Sequence, residues 1–109
     1  MPVYHASLVQ RFSGFPAEQQ LIMICNELNR ATAQCEHPEY YRKHLVLAME
    51  LMDFTIRDPK WQAKLRELLR ARELLAVLYG QPGQRLEGLT RTLVQLHPAA
   101  YRMLMKDRN

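Results

Sequence analysis

Glycine is scarce in this chain, four residues in 109, with six prolines. That poverty of turn formers argues against a loop-rich all-β fold. Long apolar runs are missing as well. Runs such as residues 21–25, 45–49 and 74–79 fall far short of the roughly 20 residues that a membrane-spanning helix needs. No apolar stretch follows a basic start, so a secretory signal is not expected. Two cysteines are too few for a disulfide framework. Cys25 and Cys35 stand ten residues apart on one expected helix, roughly 15 Å along its axis, which is too far to bond to each other. Free thiols and a cytoplasmic location are the simple expectation.

An excess charge of one sign is missing from the first half of the chain and concentrated in the second. The net charge is +4. Residues 1–57 carry five Lys/Arg against six Asp/Glu, whereas residues 58–109 carry ten against five. Such a basic half is ordinarily the solvated face of helices, and otherwise meets nucleic acid or an acidic partner.

What the sequence has is helical period. Residues 1–15 form an N-terminal arm with Tyr4, Leu8, Phe12 and Phe15 spaced by four, four and three, closed by Ser13-Gly14 and a pre-proline residue. Helix one is expected over 16–35, with Leu21, Ile24, Leu28, Ala31 and Cys35 in one stripe and Gln19, Asn26, Asn29 and Arg30 opposite. Helix two, over 38–56, has an apolar arc so wide (Tyr41, Leu45, Ala48, Met49, Leu51, Met52, Phe54, Ile56) that it reads as central or as meeting a second chain. Helix three, over 59–79, has Asp58 as N-cap, Pro59 in its first turn and Gly80 where a left-handed C-cap belongs. Its stripe is Trp61, Leu65, Leu68, Leu69, Leu75, Ala76 and Tyr79. Helix four spans 85–96 with Leu86, Leu89, Leu93 and Leu96; after His97-Pro98 a short helix spans 98–106, with Ala100, Tyr101 and Leu104 inward. Short connections favour antiparallel neighbours. The expected fold is a single all-α domain: an up-down four-helix bundle with a short fifth C-terminal helix and the N-terminal arm.

No residue pattern demands a particular chemistry. Cys35, Glu36, His37, Glu39 and His44 cluster near one junction, but neither paired C-x-x-C spacing nor Glu-x-x-His on two helices accompanies them. There is no Gly-x-Ser-x-Gly, and the glycines around residues 80–83 lack the following Lys-Ser/Thr of a phosphate loop. No catalytic residue, metal or cofactor is therefore expected. Two side chains stand out against their surroundings. His44 falls inside helix two's apolar arc and needs a hydrogen-bond partner there, a backbone carbonyl or a Tyr hydroxyl. Arg72 falls inside helix three's stripe and should reach a carboxylate on another helix, with Glu50, Asp53 and Glu27 as candidates.

These observations point to a non-enzymatic helical bundle that works by binding protein, as an adaptor, small chaperone or assembly subunit. Tyr4, Leu8, Phe12, His44 and Arg72 are the candidate interface residues. Homodimerisation is expected through helix two or the arm. The arm's Tyr4, followed by Pro16 and Glu18 opening a helical bundle, resembles the start of small flagellin-type export chaperones, which implies a protein-binding role; helix one is shorter than in that family and its aromatic signature is missing. The alternative is nucleic-acid binding. Residues 92–107 place two helices around a short break and present Arg102, Lys106 and Arg108, in the manner of a helix-turn-helix, although that break is shorter than the usual turn.

Overall fold

The computed structural model describes residues 11–106, of 104–106 the backbone alone, and every described element is helical. A 3-10 turn at Phe12–Gly14 precedes α1 (Ala17–Ala33) and α2 (Pro38–Arg57). A 3-10 helix, Pro59–Lys64, leads into α3 (Leu65–Tyr79), and α4 (Glu87–Val94) and α5 (Pro98–Lys106) complete the chain.

Local chemistry sets these boundaries. Pro38 stands at the start of α2, where its fixed φ suits a helix and its missing N–H costs nothing. Asp58 caps as expected, its carboxylate accepting from the Lys60 N–H at 3.1 Å. The segment after it is wound as a 3-10 helix, however, and α-helical geometry begins only at Leu65. Gly80 is not the left-handed C-cap that the sequence implied: it has φ −83° and ψ 0°. The left-handed residue is Gly83, with φ +96°, in the turn that carries the chain away from α3. Helix four is shorter at both ends than its leucine pattern implied. At its start, the Leu86 N–H is taken by Thr32 Oγ1 of α1 at 3.1 Å, which pins the incoming loop to α1.

The core contains Leu21, Ile24, Leu28, Tyr41, Leu45, Leu51, Met52, Trp61, Leu68, Leu75 and Leu93, each at most 3 % exposed. Its hub is α1, which packs against α2, α4 and α5. Helix α3 lies on the far side of α2 and, beyond marginal contact, touches no other α-helix. The ring expected of an up-down four-helix bundle thus has no α3–α4 side among the described residues. The wide apolar arc of α2 is filled within the chain: α1 lies against it on one flank, α3 on the other, and Phe12 packs on Phe54 at 5.6 Å between ring centroids.

Candidate interaction surface

The polar groups that the fold buries are mostly paired, and the pairs tie elements together. Gln20 on α1 is fully buried. Its amide N–H groups donate to the Phe12 carbonyl at 2.7 Å and to Asp58 Oδ2 at 2.9 Å, while its oxygen accepts from Trp61 Nε1 at 2.7 Å. Lys60 Nζ donates to the Ser13 and Phe15 carbonyls and to Asp58. This cluster clasps the N-terminal turn and the start of the α3 segment onto α1. Burial alone would raise the Asp58 pKa, but the hydrogen bonds from Gln20 and Lys60 outweigh it and hold the carboxyl below its ordinary value.

His44 is partnered by a carboxylate rather than by the carbonyl or hydroxyl the sequence suggested. Its Nδ1 lies 3.0 Å from Oε1 of Glu27, a buried α1 side chain that also accepts from Arg30 at 2.9 Å. The result is an α1–α2 tether with no nucleophile within it. Arg72 meets Asp53, one of the three expected carboxylates, with Nε donating at 2.8 Å. Both side chains are about a third exposed, 32 % and 40 %, so this is a rim pair, and the guanidinium Nη1 also donates to the Met49 sulfur at 3.1 Å.

The cysteines divide sharply. Cys25 is buried against α4, and burial pushes its thiol up to about 12. Cys35 lies just beyond α1 rather than on it and is half-buried. It lines an open polar cleft of about 630 Å³ together with Asn29, Thr32, His37 and Arg85. The one arginine of that cleft is held by Glu87. Among the described residues, the buried polar atoms without a partner are Thr90 Oγ1 and His97 Nδ1, and neither residue lines the cleft. No group of three or more His, Cys, Asp or Glu is placed to hold a metal among the described residues. No described helix is long and apolar enough to cross a membrane.

The surplus apolar surface is on α3. Of the seven large hydrophobic side chains exposed among the described residues, four belong to this one helix: Leu69 at 49 %, Leu74 at 44 %, Val77 at 52 % and Tyr79 at 40 %. Leu68 and Leu75 point into the core. The stripe read from the sequence as one buried face is therefore two: Leu69, Ala76 and Tyr79 turn outward. A hydrophobic count cannot separate them, because α3 has apolar residues on both flanks and only one neighbour.

The inner side of α3 is held along its length. Trp61 anchors the segment before it, Arg72 pairs with Asp53 at its middle, and α2 caps its C-terminal end. There the Tyr41 hydroxyl donates to the Leu78 carbonyl at 3.1 Å, and Arg42 Nε donates to the Tyr79 carbonyl at 3.2 Å with its guanidinium over the Tyr79 ring. A cation on the last carbonyls also complements the helix dipole.

Of the residues singled out from sequence, Phe12 is buried within its own chain, so it belongs to the core and not to an interface. Tyr4, Leu8 and Arg108 lie outside the described residues, as does the Lys106 side chain. Helix α4 ends at Val94, which leaves residues 95–97 as a three-residue turn before α5, longer than the sequence implied. The exposed residues described on α5 are Pro98, Tyr101, Arg102 and Met103, one cation among apolar side chains, not the polar set that reads base edges. Tyr101, expected inward, is 38 % exposed. Comparison with known protein families, characterised proteins and solved structures finds no match for this chain.

Proposed function

We propose that this protein is a non-enzymatic binding module, an adaptor, small chaperone or assembly subunit, whose docking face is the outer side of α3. The observation that carries this reading is the concentration of exposed Leu69, Leu74 and Val77 on the outer half of one helix whose inner side is fixed to α2. Clustered exposed apolar side chains mark interaction sites, whereas single ones are ordinary. A helix already held in place gives up little conformational freedom on binding, which lowers the cost of association.

The test is a paired pull-down. Full-length wild type and the double variant Leu69→Asp, Val77→Asp are used as bait in the native cell extract, with circular dichroism confirming equal helicity. A protein retained by the wild type and lost from the variant supports the reading. Equal recovery by both baits removes α3 from the account.

A further inference from the structure

We infer that the occupant of the α3 face is the α3 of a second copy, lying antiparallel across a two-fold axis; this rests on the docking face proposed above. The argument is the order of charges along the helix. Arg66, Leu69, Arg70, Glu73 and Val77 are all exposed. At 100° per residue they form a strip whose centre line is Arg66 and Glu73 and which faces away from buried Leu68 and Leu75. Arg66, Arg70 and Glu73 make no ion pair within the chain among the described residues.

Arg66 and Glu73 stand seven residues apart, two turns and roughly 10 Å along the axis. A two-fold axis passing midway between them reverses their order in the second copy. Each Arg66 then lies level with the Glu73 of the second copy, and the pairing occurs twice. The same operation brings Leu69 close to Leu69 of the second copy beside the axis on one flank, and Arg70 close to Arg70 on the other. Towards the ends, Ala76 and Val77 come level with the Pro59–Lys64 segment of the second copy. A parallel arrangement instead sets Arg66 against Arg66 and Glu73 against Glu73, which the charges oppose. The strip is thus better matched antiparallel than parallel: two Arg66–Glu73 pairs stand against the single Arg70–Arg70 contact, as an isologous interface with a preferred orientation requires. Exposed charges of this kind act chiefly by rejecting the wrong register, with the apolar residues supplying the attraction.

Sedimentation equilibrium on the full chain over a wide concentration range tests this by charge reversal and rescue. Wild type is expected to dimerise. The single variants Arg66→Glu and Glu73→Arg each create two like-charge contacts and should weaken the dimer by about tenfold or more. The double variant Arg66→Glu, Glu73→Arg restores both pairs with the signs exchanged and should recover the wild-type constant. Reversal of Arg91, exposed on α4, changes net charge equally and should leave it unaltered. Because all three positions are exposed, circular dichroism should report unchanged folding. A wild type that remains monomeric at every concentration overturns the self-pairing, and so does a dimer that ignores the single reversals or is not rescued by the double one. If self-pairing fails while Leu69→Asp, Val77→Asp still loses a cellular partner, the docking face stands with a different occupant. If that variant loses nothing either, both readings fall.

Discussion

Replacing Gln20 with leucine should be among the most damaging single substitutions in the chain. The side chain is fully buried and engages three groups: the Trp61 indole N–H, the Phe12 carbonyl and Asp58 Oδ2. Leucine has a similar size but offers none of these bonds. An orphaned buried donor or acceptor costs about 1–3 kcal/mol. Trp61 carries most of that cost, because the Phe12 carbonyl keeps the Phe15 N–H and Asp58 keeps the Lys60 backbone N–H and ammonium. The expected loss is therefore about 2–3 kcal/mol, a large fraction of the usual stability of a small domain. Urea unfolding read by circular dichroism measures it, as a lower midpoint with an unchanged slope. Gln19→Leu, one residue away and exposed, should change stability by no more than about 0.5 kcal/mol. Adding Trp61→Phe to Gln20→Leu removes both ends of one bond, so the combined loss should be smaller than the sum of the two. A Gln20→Leu loss of about 1 kcal/mol or less would refute the clasp as a main fastening of the N-terminal turn.

Three further outcomes follow from the same geometry. Asp58 has its pKa depressed in the folded protein, so its contribution is present above the unfolded value and lost as pH falls through the folded one; acid unfolding followed by tryptophan fluorescence should lose that component in Asp58→Asn. Iodoacetamide at mildly alkaline pH should alkylate Cys35 and spare Cys25, whose buried thiol titrates at about 12, and mass spectrometry of the peptides would contradict this if both reacted at one rate. Arg72→Met keeps an apolar stem and removes a partly solvated rim pair together with the guanidinium contact to the Met49 sulfur, so thermal unfolding should register less than about 1 kcal/mol; a loss of several kcal/mol would place the pair in the core.

Helix existence was legible in this sequence because period and punctuation agree: Pro38 opens α2, Asp58 caps the next segment, and Pro98 opens α5. The hub was not. Gln20, Cys25 and Glu27 are buried on α1, and a hydrophobic wheel assigns the two polar ones to the surface because their pairing with Trp61, Asp58 and His44 is a tertiary fact. Helix α2 is central, as its wide arc implied, packed between α1 and α3. Its arc was wide because α1 and α3 flank it, and the unsatisfied apolar surface belongs to α3. Exposure of Leu69 and Val77 depends on which neighbours α3 lacks, and the sequence of α3 carries no record of that. Arg72 could be found because a charge inside an apolar stripe needs a partner. Gly80 could not be told from Gly83 by type alone, since only φ separates them.

The central claim is that α3 is the working surface of the molecule, and site-specific photo-crosslinking in the native cell tests it most directly. A benzoylphenylalanine is placed in turn at Val77 and Leu69 on α3, and at Thr92 on α4, all three exposed. Covalent adducts, whether with a second copy or with another protein, are expected from the two α3 positions and not from Thr92. Adducts formed equally from all three, or from Thr92 alone, would contradict the account.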